Sequence, residues 1–193
     1  YDPHSQEGAY LGGMIAGLMT KSNVIGIVGP VEAGDAIKYN RGYEAGVKAV
    51  NEKAAVRIAY TGSFNDLVGA GDIARTAIKG GADFLSGSSQ QAVGALQAAA
   101  EHEGVNWFAT DLNMKALAPK TVVGPQIYKF ESVVQEMLDS RAKGVLGGKA
   151  IPLSLANGYI EIQMNRTLPP DVAEKVEKAK ADIASGALKV EIK

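Results

Sequence analysis

Between Tyr60 and Gln91 the chain reads YTGSFNDLVGAGDIARTAIKGGADFLSGSSQQ, and this stretch narrows the possible folds more than any other. Its order is strand, loop, helix, strand, loop. Val56 to Tyr60 is an apolar run with β-branched members that stops at Gly62-Ser63. Asp66 stands where a helix begins, and Ile73, Ala74, Ala77 and Ile78 recur at helical spacing. Gly80-Gly81 ends that helix, because glycine enters a left-handed cap without steric penalty. Ala82 to Leu85 is the next strand, opening into Gly87-Ser88-Ser89-Gln90-Gln91. Strands joined through a helix run parallel. Gly62-Ser63-Phe64 and Gly87-Ser88-Ser89 therefore leave the same edge of one sheet, the carboxyl edge at which open α/β sheets bind ligands.

The flanking sequence repeats the alternation. Glu7 to Thr20 has a helical apolar face of Tyr10, Leu11, Met14, Ile15 and Leu18, and its glycines at 12, 13 and 17 permit close backbone approach to another element. Asn23 to Gly29 is apolar on both faces, as a buried parallel strand is. Asp35 to Asn51 follows as a helix with Ile37, Tyr43, Val47 and Val50 as its buried positions, while Tyr39, Asn40 and Arg41 read as exposed. Gln90 to His102 is an alanine-rich helix, Val105 to Thr110 a strand ending at Asp111, and Thr121 to Tyr128 a further strand. Phe130 to Gly144 is amphipathic. Ile151 to Ala156 and Gly158 to Met164 predict a hairpin turning at Asn157-Gly158. Pro169-Pro170-Asp171 opens a last helix with a Val172, Val176, Ala179 and Ile183 stripe, and Leu188 to Ile192 predicts a short closing strand. Repeated strand–helix alternation implies a parallel sheet covered on both faces.

Composition excludes several functions. The 193 residues carry a formal net charge of −1 and no basic run, which argues against nucleic acid or an acidic membrane surface as a partner held by bulk charge. There is no cysteine, hence no disulfide, zinc-thiolate site or thiol nucleophile. That usage suits a protein working outside a reducing cytoplasm. No apolar stretch approaches the roughly 20 residues of a membrane helix. Tyr1-Asp2-Pro3-His4 reads as the interior of a longer chain. Gly26, Gly29 and Gly34 miss the dinucleotide spacing, and no nucleophile elbow, phosphate loop or paired acid–base motif supports an enzyme. His4 and His102 lie in no metal-binding or triad setting. No cofactor is implied.

The candidate site therefore lies in the loops at the carboxyl edge. Asp111 ends a strand there and is a candidate ligand contact. Ser88, Ser89, Gln90 and Gln91 have two readings, helix cap and ligand contact; their mix of donors and acceptors favours the second. Phe64 either covers a ligand or anchors its own loop, and Trp107 is either core or a stacking ring. Asp66 reads as a helix cap, and Asp83 as a structural hydrogen-bonding residue.

EGAYLGGMIAGLMTKS, GYEAGVKAVN, YTGSFND, GGADFL, VGALQAAAEHEGV and the tail LPPDVAEKVEKAKADIASGALKV together resemble the basic membrane protein group of substrate-binding lipoproteins, which includes purine nucleoside receptors of ABC importers. The resemblance runs over nearly the whole chain. It implies a periplasmic-binding-protein type I-like fold: two α/β lobes of parallel sheets flanked by helices, joined by crossovers, with the ligand between them and the first lobe incomplete here. On that basis 1–22 is the last helix of the N-terminal lobe, 23–125 the C-terminal lobe, 126–163 a return segment and 164–193 a helix and strand packing back. The resemblance makes Asp111 the aspartate that bonds a sugar hydroxyl and places Tyr128 where many members have a lysine. It implies an extracytoplasmic protein, periplasmic or lipid-anchored through a preceding segment, whose partners are a small solute and ABC permease subunits. A cytoplasmic ligand sensor of the same fold is the alternative; the 193 residues contain no DNA-binding segment.

Overall fold

The structure is a computed structural model and describes residues 1–192. In chain order the elements are β1 (Asp2–Pro3), α1 (Ser5–Met19), β2 (Val24–Gly29), α2 (Gly34–Val50), β3 (Ala55–Tyr60), α3 (Leu67–Lys79), β4 (Phe84–Gly87), α4 (Ala92–Ala100) and β5 (Asn106–Thr110). A single 3-10 turn (Met114–Ala116) leads to β6 (Val122–Tyr128), α5 (Phe130–Ala142), β7 (Pro152–Leu153), β8 (Ile160–Ile162) and α6 (Pro170–Ser185). Six strands form one sheet in the order β3-β2-β4-β5-β6-β8, parallel except for β8.

Successive residues of the parallel strands feed opposite faces, as a pleat requires. Ile25, Ile27, Phe84, Phe108 and Val123 join α1, α2 and α6 in one core layer. Val28, Leu85, Trp107 and Val122 join α3 and α4 in the other. Trp107 is fully buried there, which settles it as core. The glycines of α1 act as anticipated. A Cβ on Gly13 would overlap the Tyr43 carbonyl, and one on Gly46 the Tyr10 carbonyl, so α1 and α2 touch backbone to backbone. The resemblance gave α1 to an opening lobe; in the structure it packs against α2 over the sheet that starts at β2.

Three local expectations are corrected. The strands flanking Asn157-Gly158 do not form a hairpin: β7 pairs in parallel with β1, and β8 pairs antiparallel with β6. The turn itself exists, since Asn157 Oδ1 accepts from the Ser154 and Tyr159 N–H groups and Gly158 has φ +73°. Its arms separate because β6 would otherwise be an open edge, and β8 satisfies that edge. Leu188 to Ile192 is not a strand; Leu188 and Val190 pack on the core without entering a ladder. Tyr39 and Asn40 are not exposed but buried, at 1% and 0% exposure. The inward face of α2 is Ala36, Tyr39, Tyr43 and Val47, with Ile37 at its margin.

Helix α5 stands apart. Of its residues only Val133 is buried, while Val134, Met137 and Leu138 are each more than half exposed.

Asp66 caps α3 by accepting from the Gly69 N–H. Asp83 closes the turn after α1: its carboxylate accepts from the Thr20 hydroxyl at 2.6 Å and from the N–H groups of Lys21 (2.6 Å) and Ser22 (3.0 Å). Burial alone would raise the Asp83 pKa, but these hydrogen bonds outweigh it and hold it below its ordinary value. Asp83→Ala should lower unfolding stability by about 2 kcal/mol in denaturant titrations near neutral pH. Because the folded pKa is depressed, the difference between wild type and variant should be full above about pH 4, the unfolded aspartate range. It should vanish as pH falls through the folded pKa; a difference independent of pH would contradict this role.

Candidate functional site

A cavity of about 390 Å³ lies at the carboxyl edge of the sheet. The order of the strands creates it. From β2 the chain crosses through α2 to β3 on one side, whereas β4 and β5 lie on the other, so the loops leaving β2 and β4 diverge. Ala33 lines the cavity from the first loop and Gly34 to Ala36 from the first turn of α2, Ser88 and Ser89 from the second loop, Phe64 from the loop after β3, Thr110 and Asp111 from the end of β5, and Tyr128 from the end of β6. The Gln91 N–H donates to the Phe64 carbonyl (2.9 Å), tying two of these loops together.

Asp111 is held in an uncommon backbone state. Its φ is +70°, and a hydrogen bond from the Leu112 N–H to the Thr110 carbonyl (2.8 Å) closes a three-residue turn around it. Turns of this kind with positive φ are rare and strained. Its own N–H donates to the Gln126 carbonyl at 3.0 Å, which fixes the turn to β6. Ser89, across the cavity wall, has φ +67°. Only three described non-glycine residues have positive φ, and two of them line this cavity; such strain concentrates at functional sites. Asp111 keeps an accessible face toward the cavity, yet protein atoms crowd its carboxyl closely. That desolvation raises its pKa, opposed by the Thr110 hydroxyl and the Ser89 N–H, which favour the charged form.

Beneath it lies a chain of hydroxyls. Ser86 Oγ donates to the Phe108 carbonyl at 2.8 Å, and Tyr39 Oη lies 2.7 Å from the same Ser86 Oγ. Serine has one proton, and Phe108 takes it, so Tyr39 is the donor in this pair. Burial raises the pKa of Tyr39 and of Tyr128, and the Asp111 charge acts in the same direction; both remain neutral phenols. Ser88 Oγ lines the cavity, is buried at 7% exposure, and has no hydrogen-bond partner. Phe64 presents a ring that is 54% exposed.

Of the residues singled out from sequence, Asp111, Ser88, Ser89, Phe64 and Tyr128 come together around this cavity. Gln90 and Gln91 do not line it. Gln90 is exposed, and Gln91 is buried, its Nε2 donating to the Val28 carbonyl (3.0 Å) and the Ser88 carbonyl (2.8 Å), which braces the loop from below. Sequence reasoning missed Ser5, Tyr39, Thr110 and Phe130, all of which line the cavity. Tyr39 was recoverable: with Ala36, Tyr43 and Val47 it falls on one helical face. Ser5 and Phe130 carried no local signal, because long-range packing brings them there.

Comparison with known proteins bears on this geometry. The family described as ABC transporter substrate-binding protein PnrA-like matches residues 4–192. An ABC transporter nucleoside-binding protein of Lactococcus lactis subsp. cremoris is 27% identical, covering 95% of this chain and 57% of its own length. A purine-binding protein of Brucella abortus is also 27% identical, covering 97% of this chain and 53% of its own. The chain thus spans just over half the length of these curated relatives. Among solved structures, solute-binding proteins of ABC transporter systems from Conexibacter woesei and Aeropyrum pernix superpose with TM-scores of 0.77 and 0.83 at 24% and 19% identity. They cover 98% and 99% of this chain and 64% and 65% of their own, and they establish the fold: a periplasmic-binding-protein type I-like α/β architecture. With the match spanning residues 4–192, the chain belongs to the PnrA-like family of ABC transporter substrate-binding proteins, a family of binders and not of enzymes.

Proposed function

We propose that this chain supplies one lobe and the connecting strands of an extracytoplasmic solute receptor. The receptor captures a nucleoside or a related purine or sugar compound between two lobes and delivers it to an ABC permease. The observation that carries the reading is the pairing, in one open cavity, of the strained Asp111 carboxylate with the orphaned Ser88 hydroxyl. A buried hydroxyl without a partner is expensive for folding alone and is satisfied once a ligand supplies a donor or acceptor. The nucleoside-binding relative of Lactococcus and the purine-binding relative of Brucella support the ligand class. In this reading the cavity is half of a cleft. Val134, Met137 and Leu138 of α5, with Val145 and Leu146 after it, form the apolar face on which the second lobe rests. Residues 126–163 then serve both lobes, with the short β1–β7 pair at the crossing. Closure follows from the ligand's contacts with both lobes, which favour the shut state by its differential affinity. The membrane enters only through a lipid anchor on a preceding segment, and nucleic acid plays no part.

Calorimetric titration with a nucleoside panel tests the proposal; binding without turnover is expected, and product formation would refute it. Asp111→Ala should weaken binding at least about tenfold, the scale of one hydrogen bond to a charged group. Because burial raises the Asp111 pKa, affinity should begin to fall on acidification at a higher pH than an ordinary aspartate, 3.8, would dictate. Binding that stays flat to pH 4 would remove the carboxylate from the site. Ser88→Ala should weaken binding while raising unfolding stability by about 1 kcal/mol, because it deletes a buried unpaired hydroxyl. Loss of both stability and affinity would make Ser88 a structural residue only.

A further inference from the structure

Gln126 is fully buried behind the cavity and is not among its lining residues. Its side-chain Nε2 nevertheless donates to two hydroxyls that are: Tyr128 Oη at 2.7 Å and Thr110 Oγ1 at 3.3 Å. Its main-chain carbonyl accepts from the Asp111 N–H. One residue therefore touches three polar groups of the cavity wall from behind.

The direction of the amide matters. Its oxygen faces Gly8 of α1, where a Cβ would collide with it, and has no donor. Turning the amide over would aim the oxygen at both hydroxyls and strand both N–H protons against Gly8. The observed orientation strands one oxygen, the turned one would strand two N–H protons, and orphaned buried N–H groups are the rarer of the two. The observed orientation is thus the less costly of the two. Its consequence is chemical. A hydroxyl that accepts from an amide N–H keeps its own proton for another acceptor. Thr110 Oγ1 has Asp111 Oδ1 at 3.5 Å. Two hydroxyls stand near the Tyr128 Oη, those of Thr110 and of Ser5, the latter giving its own proton to the Asp35 carbonyl at 3.1 Å. Neither closes a hydrogen bond of normal length with it among the described residues, so the Tyr128 proton is left for whatever occupies the cavity.

We infer that Gln126 is a positioning residue that fixes Tyr128 as a hydrogen-bond donor beside the acceptor Asp111, so that the site selects a solute offering an acceptor and a hydroxyl donor side by side. Tyr39 extends the pattern, since its proton is committed to Ser86 and only its lone pairs remain. Gly8 belongs to the same device: a residue with a side chain there would displace the amide. The inference builds on the solute-receptor reading for its ligand, but the state of the Tyr128 hydroxyl can be read without one.

Two measurements on the same chain test it. The first is carbon NMR of ζ-labelled tyrosine in the free protein. Gln126→Met has nearly the same volume and no N–H, and it should move the Tyr128 ζ-carbon resonance, assigned by its loss in Tyr128→Phe. A Tyr128 resonance indifferent to Gln126→Met overturns the inference. The second is calorimetry with adenosine, guanosine and inosine. Gln126→Met and Tyr128→Phe should each weaken binding about tenfold, and the double variant should be no weaker than either alone, because both remove the same directed proton. Losses that multiply in the double variant would mean that Gln126 merely supports the fold and would overturn the inference. Should the wild-type chain bind no nucleoside, the ligand reading fails, and the NMR result still decides the role of Gln126.

Discussion

The cavity depends on the direction in which the chain leaves β2 and β4. These neighbours run parallel, yet the connection after β2 returns on the β3 side and the chain after β4 moves toward β5. Two adjacent loops must therefore part, and a crevice opens between them without any residue being spent on making it. The glycine contact between α1 and α2 secures one wall, because α2 begins at that crevice and its register on α1 sets where Ala36 and Tyr39 fall. Gln126 secures another by tying the end of β6 to the turn at Asp111.

The site is assembled from groups that the fold would be more stable without. Ser89 and Asp111 sit in left-handed conformations, Asp111 is partly desolvated, and Ser88 Oγ and Gln126 Oε1 are buried without partners. Strain of this kind persists only where surrounding structure over-determines it. Here the surroundings are two close-packed apolar layers, one under α1, α2 and α6 and one under α3 and α4. The half-exposed Phe64 ring completes the contrast, an apolar face held over a polar floor. Such a combination suits a solute with a flat face and a hydroxylated part.

Much of this was legible in the sequence because it is local. Short apolar runs, the Asp66 cap and the glycine stops marked the parallel strands and hence the shared edge, and from that edge Asp111, Ser88, Ser89 and Phe64 followed, while Tyr128 came from the family resemblance. What escaped was decided at long range. The Asn157-Gly158 turn formed as its residues dictate, but its arms took partners 36 and 150 residues away, Ile162 pairing with Gln126 and Pro152 with Asp2. Gln90 and Gln91 looked equivalent in sequence, and only the packing beneath the loop distinguishes the exposed one from the brace. Gln126 sits in a strand with nothing in its neighbourhood to announce a polar role; its significance arises from Gly8, more than a hundred residues earlier.

The most direct test of the account is a map of backbone amide shifts in the labelled chain as adenosine is added. Solute capture at the carboxyl edge predicts saturable shifts at Asp35, Phe64, Ser88, Ser89 and Asp111, with little change along α6 or β8. Shifts gathered instead in the apolar groove beside Met137 and Leu146, with the sheet edge silent at saturation, would contradict it.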